Sequence, residues 1–393
     1  IKKKEIDVVI LAGGRGSRID NHLKNYPKPM IKFNKKHFLY YLINMISKYN
    51  FRKIFILTRF RSKVIENKFH NKIFNFVPIE CIKEKKVMGT GGALNLVKKK
   101  TKNFLLINGD TIFNIDINEF LKCSNDKKIG SMSLIFNKNK SNKKLANLNL
   151  NKDLIEFKQN GKYSNGGVYY FNKKIFNYIP KSYSSLEENI LPKIIKKGKI
   201  TGKIFNNFFL DIGSAKSLKV GNSALLTQFE KPAFFLDRDG VVNHDYGYVS
   251  DLKRFKFRMG VLKGLKLIQK KNYYIFLVTN QAGIAKKKFK IEHFFKLQKK
   301  IKKILFEKKI FINDVAFSPF HIKSKLKIYK KNSKYRKPGN LMIESLFKRW
   351  DIIRSKSIMI GDQKKDELAS KKSNIKFQYA ENNFYNQVKK LIN

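Results

Sequence analysis

The residues of the 393-residue chain best suited to chemistry lie in one short segment, Phe234-Phe235-Leu236-Asp237-Arg238-Asp239-Gly240-Val241. An apolar run ends in two carboxylates two residues apart, and on an extended segment such residues point the same way. One carboxylate of such a pair can attack phosphorus and form an aspartyl-phosphate. The other can protonate the leaving oxygen and later activate water. Three later segments supply what that reaction needs. Val278-Thr279-Asn280-Gln281 ends an apolar run with a phosphate-binding hydroxyl. Arg336-Lys337-Pro338 brings a lysine to neutralise nucleophile and phosphate. Ile360-Gly361-Asp362-Gln363-Lys364-Lys365-Asp366 ends a third run with carboxylates of the kind that hold Mg²⁺.

A second constellation precedes it. Leu11-Ala12-Gly13-Gly14-Arg15-Gly16-Ser17-Arg18 follows an apolar run. Its glycines let backbone amides approach a phosphate, a following helix N-terminus adds positive potential, and Arg15 and Arg18 add charge. Alone, such a loop is equally a structural turn. Tyr26-Pro27-Lys28-Pro29-Met30 places a lysine on a stiff segment, where it can balance triphosphate charge. Val87-Met88-Gly89-Thr90-Gly91-Gly92-Ala93 is a second backbone-rich binding loop. Asn108-Gly109-Asp110 and Leu210-Asp211-Ile212-Gly213 supply two carboxylates, which with phosphate oxygens make a natural Mg²⁺ site.

Elements that could position these groups are legible in the hydrophobic pattern. Residues 8–12, 53–58, 104–108 and 131–136 read as strands, and 38–49 as a helix. A second series of apolar runs at 233–236, 274–278 and 357–360 follows Glu230-Lys231-Pro232. Strand–loop–helix alternation in both halves implies α/β folds with two mainly parallel sheets flanked by helices, over residues 1–228 and 229–393. Chemistry in such sheets sits at the carboxyl ends of strands, where the singled-out residues fall.

The composition, 42% hydrophobic and 29% charged, suffices for two real cores. The two cysteines, Cys81 and Cys123, form no close-spaced pair, which argues against a disulfide framework and for a reducing compartment. No apolar run reaches the ~18–20 residues of a membrane span, and no signal peptide precedes the first strand. The expectation is a soluble, cytoplasmic protein. The net charge of +56 admits a polyanion partner. Lysines are spread along both halves without a recognition motif, so a lysine-biased surface is the favoured reading, and no specific nucleic-acid partner is expected.

In their order, the N-terminal pieces resemble the nucleotidyltransferase family that makes nucleotide sugars, over nearly all of residues 1–225. The resemblance includes Asn165-Gly166-Gly167-Val168-Tyr169 and Ser185-Leu186-Glu187-Glu188. It implies a Rossmann-like fold in which Gly13, Gly14 and Arg18 hold the nucleotide, and Arg15 and Lys28 its phosphates. It places Gly91 and Gly92 near base or ribose, Asp110 and Asp211 on Mg²⁺, and Asn165, Gly167 and Glu187 at the sugar. The implied reaction is attack by a sugar 1-phosphate oxygen on the α-phosphorus of a nucleoside triphosphate, releasing pyrophosphate.

The C-terminal segments resemble the haloacid-dehalogenase superfamily of phosphatases, without a large cap. That resemblance implies Asp237 as nucleophile, Asp239 as acid/base, Thr279 and Asn280 as phosphoryl contacts and Lys337 as stabiliser. Mg²⁺ falls to Asp237, Asp362 and the Asp239 carbonyl. Asp366 either supports that site or begins the next helix. Asn243-His244-Asp245-Tyr246-Gly247-Tyr248-Val249 and the run Thr279 to Ala285 are similar to the heptose bisphosphate phosphatases, which would make Arg336 a substrate contact. Many such relatives carry a Cys-x-His…Cys-x-Cys zinc loop. Here the matching positions are Ser318, Phe320, Ser333 and Tyr335, with His321 one position away, so no zinc is expected.

Together the resemblances imply consecutive steps. A phosphatase removes the 7-phosphate of a heptose 1,7-bisphosphate, and a transferase similar to the heptose 1-phosphate and mannose 1-phosphate guanylyltransferases activates the heptose 1-phosphate, with GTP the favoured donor. The alternative is a mannose- or glucose-1-phosphate transferase joined to a histidinol-phosphate-like phosphatase. The expected partners are small molecules, nucleoside triphosphates and sugar phosphates. Oligomeric state is not legible.

Overall fold

Runs of β-branched and aromatic residues dominate the strands, and they are buried on both faces. Val8, Val9 and Ile10 have no exposed surface, nor do Phe234, Phe235 and Leu236. Near-continuous apolar strands of this kind require helices on both sides of a parallel sheet. The computed structural model describes residues 5–14, 26–124, 127–137 and 147–392. Contact density divides the chain into two compact units. One comprises Ile1–Met45, Phe51–Ile73 and Val77–Ala224; the other comprises Leu225–Asn393 with the short pieces Ile46–Asn50 and Phe74–Phe76.

The first unit is built on a ten-stranded sheet. Its centre is parallel: Asp7–Ala12 lies between Ile54–Thr58 and Asn103–Asn108, and Val77–Lys83 pairs outside Ile54–Thr58. The long strand Tyr163–Asn172 runs antiparallel between Asn103–Asn108 and Gly130–Phe136. Its register slips between Asn165 and Tyr169, at the glycine pair Gly166-Gly167. Bulges of this kind re-aim side chains beside functional sites. A separate two-stranded ribbon pairs Thr111–Phe113 with Phe209–Asp211. The helix Phe38–Ser47 covers ten residues, two fewer than its apolar spacing suggests.

The second unit has a five-stranded, wholly parallel sheet. Its order is Asp314–Ser318, Tyr274–Asn280, Ala233–Leu236, Ile358–Gly361, Lys376–Tyr379. The first strand in sequence is central, so strand order reverses beside it. That switch point is where parallel sheets bind ligands. Alternate side chains of the central strand serve two cores. Phe234 and Leu236 pack with Val261, Leu265, Leu297 and Ile301 on one face. Ala233 and Phe235 pack with Met342, Leu346 and Trp350 on the other. At roughly 25 cal/mol per Å² of apolar area, burying one such Phe is worth about 2–3 kcal/mol, and these cores hold the strand ends in place.

Candidate functional site

Three adjacent strand ends of the second unit converge. Asp237 follows the central strand, Thr279 and Asn280 end one neighbour, and Asp362 follows the other. Lys337 arrives from the loop before the helix Leu341–Arg349 and is 1% exposed. Its ammonium lies 2.7 Å from Asp237 Oδ2 and 2.6 Å from Asp366 Oδ1, and it donates to the Val278 carbonyl at 2.8 Å. The ammonium is thus held by one hydrogen bond and two short ion pairs. Burial lowers the basicity of Lys337, but Asp237 and Asp366 outweigh it and hold its pKa above the ordinary value.

Asp237, Asp362 and Asp366 each present a carboxylate oxygen within 4.8 Å of the others. Burial pushes the Asp237 carboxyl up to about 7; Lys337 opposes the shift, while Asp366 and Asp239 add to it. Burial and then Asp366 raise Asp362 as well. Asp362 Oδ1 is buried without a hydrogen-bond partner. Three crowded carboxylates against one lysine, with an orphaned oxygen among them, form an oxygen donor set that fits a hard divalent cation. Gly240, at φ +85°, is required here, because a Cβ would lie 2.3 Å from Asp362 Oδ2. At the start of the helix Lys364–Lys372, Asp366 makes both a cap contact and an ion pair. Its Oδ2 accepts from the Gln363 amide in a capping box, and its Oδ1 faces Lys337.

Asp239 is held tightly. Arg238, with no exposed surface, donates to Asp239 Oδ1 at 2.9 Å and Oδ2 at 2.7 Å. Asn243 Nδ2 donates to Oδ1 at 2.9 Å and Gln281 Nε2 to Oδ2 at 3.0 Å. Asn280 turns to the backbone of Lys337: its Nδ2 donates to the Lys337 carbonyl and its Oδ1 accepts from the Lys337 amide. Arg336 is half-buried, its Nη1 is buried without a partner, and burial lowers its pKa. At the four positions matching the zinc loop, Ser318 is buried, Phe320 packs edge-on against Tyr329 beneath the Lys331 ammonium, and Ser333 Oγ accepts from the Tyr335 amide. His321 Nδ1 accepts from the Lys323 amide.

In the first unit, Lys28 sits in the single turn Lys28–Met30 after Pro27 and is 7% exposed. Its ammonium donates to Asp110 Oδ2 at 3.0 Å. The ribbon brings Asp211 opposite Thr111, whose hydroxyl lies 3.4 Å from both Asp110 Oδ1 and Asp211 Oδ2. Lys28, Asp110 and Asp211, distant in sequence, are thus assembled. A Cβ on Gly109 would lie 2.4 Å from the Leu11 carbonyl, so only glycine lets Asp110 follow so closely on the strand Asp7–Ala12. Gly13 and Gly14 follow that strand; Arg15 and Arg18 lie outside the described residues.

The loop of residues 87–93 directs the amides of Gly91 and Gly92 to the Ser184 carbonyl, at 2.9 and 3.1 Å. Both glycines are buried against residues 182–190. Glu187 Oε2 accepts from the Thr90 hydroxyl at 2.7 Å. Asn165 Oδ1 accepts from the Gly167 amide at 2.9 Å, and its Nδ2 donates to the buried Tyr169 hydroxyl at 2.5 Å. Burial raises the Tyr169 pKa, and Glu187 and Asp110 add to it, so both carboxylates lie around that phenol.

Sequence reasoning missed Arg238, Gln281 and Asn243, which grip Asp239, and Glu84. Glu84 is 7% exposed, and a Cβ on Gly13 would lie 2.5 Å from its Oε1. Burial pushes its carboxyl up. It stands among lysines, in Ile82-Lys83-Glu84-Lys85-Lys86, and nothing in that run marks it. The glutamine in Thr279-Asn280-Gln281 was visible, but its role depends on a partner 42 residues away.

Residues 7–228 match the nucleotidyl transferase family, and residues 235–389 the polynucleotide kinase 3 phosphatase family. A D-glycero-alpha-D-manno-heptose 1-phosphate guanylyltransferase of Aneurinibacillus thermoaerophilus is 31% identical, over 53% of this chain and 93% of the relative. A D-glycero-beta-D-manno-heptose-1,7-bisphosphate 7-phosphatase of Rhodopseudomonas palustris is 34% identical, over 37% of this chain and 81% of the relative. The crystal structure of HddC from Yersinia pseudotuberculosis is 27% identical with a TM-score of 0.46, covering 56% of this chain and 98% of that one.

Proposed function

Since the chain belongs to the nucleotidyl transferase family in its first half and to the heptose-bisphosphate 7-phosphatase family in its second, we propose that it catalyses two consecutive steps. The second half removes the 7-phosphate of D-glycero-D-manno-heptose 1,7-bisphosphate. The first half transfers a nucleotidyl group, GMP from GTP, to the resulting heptose 1-phosphate. The observation that carries the phosphatase reading is Asp237 at the end of the central strand, 2.7 Å from a lysine with no side-chain exposure. No helix among the described residues is long and apolar enough to cross a membrane.

In the phosphatase, an Asp237 oxygen forms a bond to phosphorus as the bond to the sugar oxygen breaks. Asp239 gives that oxygen a proton. Water then attacks the aspartyl-phosphate, Asp239 takes its proton, and phosphate leaves with Asp237 restored. Lys337 offsets negative charge on the nucleophile and the transferring group. Thr279 donates to a phosphoryl oxygen, and Asn280 fixes the Lys337 backbone. Arg336, whose unpartnered Nη1 supports a role as ligand contact, faces the sugar or its remaining phosphate. Asp237, Asp362 and the Asp239 carbonyl would hold Mg²⁺, with Asp366 orienting Lys337 behind them. Bound there, the ion supplies charge neutralisation at the phosphoryl oxygens.

In the transferase, Lys28 neutralises the triphosphate, and Asp110 and Asp211 would hold a second Mg²⁺. Gly13 and Gly14 let the nucleotide approach, the charges of Arg18 and Arg15 serve the nucleotide and its phosphates, and Gly91 and Gly92 pack the turn beside the base. Asn165, Gly167 and Glu187 contact the sugar. No covalent enzyme intermediate is needed, so positioning and charge carry the step.

The preference for GTP is supported by Glu84. Guanine offers two N–H donors on one edge, and one carboxylate accepts both, whereas uracil and thymine offer one donor beside an acceptor. Glu84→Gln is expected to lower kcat/KM for GTP by roughly 30-fold or more, the usual size of a mismatched buried donor–acceptor pair, and to improve UTP relative to GTP. An unchanged nucleotide profile would remove Glu84 from base selection.

The decisive test mixes the full chain, Mg²⁺ and the heptose 1,7-bisphosphate with equal GTP, ATP, UTP and CTP, and weighs the products by mass spectrometry. The expected result is GDP-heptose with inorganic phosphate. Phosphate without a nucleotide sugar would retain the phosphatase and move the transferase to another sugar or anomer. Absence of phosphate would sink the heptose reading.

A further inference from the structure

We propose that Gln281 is a positioning residue that sets Thr279 and Asp239 in register, with Arg238 as its anchor. The inference rests on the phosphatase reading above. Gln281 is 4% exposed, immediately past the strand Tyr274–Asn280. Its amide is fully used within the site. Nε2 donates to Thr279 Oγ1 at 2.8 Å and to Asp239 Oδ2 at 3.0 Å. Oε1 accepts from Arg238 Nη2 at 3.4 Å. Only one amide orientation satisfies this set, because the Asp239 carboxylate can only accept and the Arg238 guanidinium can only donate.

The consequence for Thr279 follows from the chemistry of a hydroxyl. A hydroxyl has one proton and two lone pairs. Accepting from Gln281 occupies a lone pair and turns the proton of Thr279 toward another acceptor. At the end of this strand, beside Asp237, the acceptor that arrives is a phosphoryl oxygen. Without Gln281 the hydroxyl is free to rotate and to donate elsewhere.

The same amide bears on Asp239. Arg238 grips both Asp239 oxygens from one side, donates to the Val249 carbonyl at 2.9 Å, and stacks 5.7 Å from the Phe294 ring. Gln281 meets Oδ2 from the other strand. One side chain thereby ties the group that binds the phosphoryl oxygen to the group that moves the proton. Arg238 keeps that side chain from turning over. Preorganised donors of this kind act because no reorientation is needed as charge develops.

The test is steady-state and rapid-quench kinetics of the full chain on the heptose 1,7-bisphosphate, for wild type, Gln281→Met, Gln281→Glu, Thr279→Val and Gln281→Met/Thr279→Val. Both Gln281 replacements keep the length of the side chain. Gln281→Met is expected to lower kcat by roughly 10- to 100-fold, with KM within about threefold, the signature of an interaction expressed in the transition state. Gln281→Glu, which has no N–H and sets a second carboxylate beside Asp239, should be worse. The double variant should lose less than the product of the two single losses, because the Gln281–Thr279 contact is removed in both singles while each also loses a contact of its own. A packing role would leave kcat near wild type in the size-matched variants, and multiplicative losses in the double variant would uncouple Gln281 from Thr279; either result overturns the proposal. If Gln281→Met lowers the thermal unfolding midpoint, Gln281→Glu and Thr279→Val decide the outcome. Failure of wild type to release phosphate would instead defeat the phosphatase reading itself.

Discussion

Asp237→Asn should abolish phosphate release while leaving nucleotidyl transfer to an authentic heptose 1-phosphate intact. The amide is isosteric but is not a nucleophile toward phosphorus, so no aspartyl-phosphate forms. Removal of a covalent nucleophile typically costs ~10⁴-fold or more. The stability effect should have the opposite sign. Burial raises the Asp237 carboxyl to about 7 in the folded chain. A folded value above the unfolded one means that the folded state binds the proton more tightly. The contribution is present below the unfolded value, near 4, and is lost as pH rises through about 7. At pH 8 an uncharged amide beside Asp362 and Asp366 relieves that penalty, so Asp237→Asn should unfold no earlier than wild type without Mg²⁺. Malachite-green phosphate release, coupled pyrophosphate release and thermal unfolding measure the three quantities. Retained phosphate release would remove Asp237 from the nucleophile's role.

Lys337→Met should damage stability and activity together. Lys337 has two carboxylate partners and a carbonyl partner, all in a site with almost no exposure. Met fills a similar volume but leaves Asp237 and Asp366 facing each other. Breaking a buried ion pair by removing one partner costs about 3–5 kcal/mol. At ~2–4 °C per kcal/mol for a domain of this size, the transition of the second unit should fall by about 10 °C. The loss should be larger at pH 8 than at pH 5, because ionised carboxylates repel and protonated ones do not. Phosphatase turnover should fall by at least ~10³-fold, since the positive charge at the transferring group disappears. Lys337→Arg keeps the charge but not the shape, and a planar guanidinium does not replace a three-donor ammonium in a closed site. An unfolding midpoint within about 2 °C of wild type, on the same scale, would show that the lysine's contacts contribute little.

Much of the site was legible because its chemistry clusters at strand ends. Asp237-Arg238-Asp239-Gly240 sits where a four-residue apolar run must stop, and the structure ends the strand at Leu236. Lys28, Asp110 and Asp211 were readable one at a time, from stiffness at Pro27 and Pro29 and from carboxylates after apolar runs. Strand positions followed from apolar runs that remain buried on both faces, a pattern a parallel sheet imposes on sequence.

What the sequence determined by itself was therefore the α/β class, the strand ends and the candidate groups for chemistry placed on them, because these depend on local period and residue type. Only the tertiary structure decided which polar side chains face one another. Gln281 meets Asp239 across 42 positions, and Lys337 meets Asp237 across the second unit. Glu84 reaches Gly13 from another strand, and Gly91 and Gly92 direct their amides to Ser184 rather than outward. Hydrogen-bond partners are chosen by packing geometry, and a buried amide or carboxylate carries no periodic mark in the chain. Its energetic role arises only when the fold withdraws water and leaves it to its neighbours.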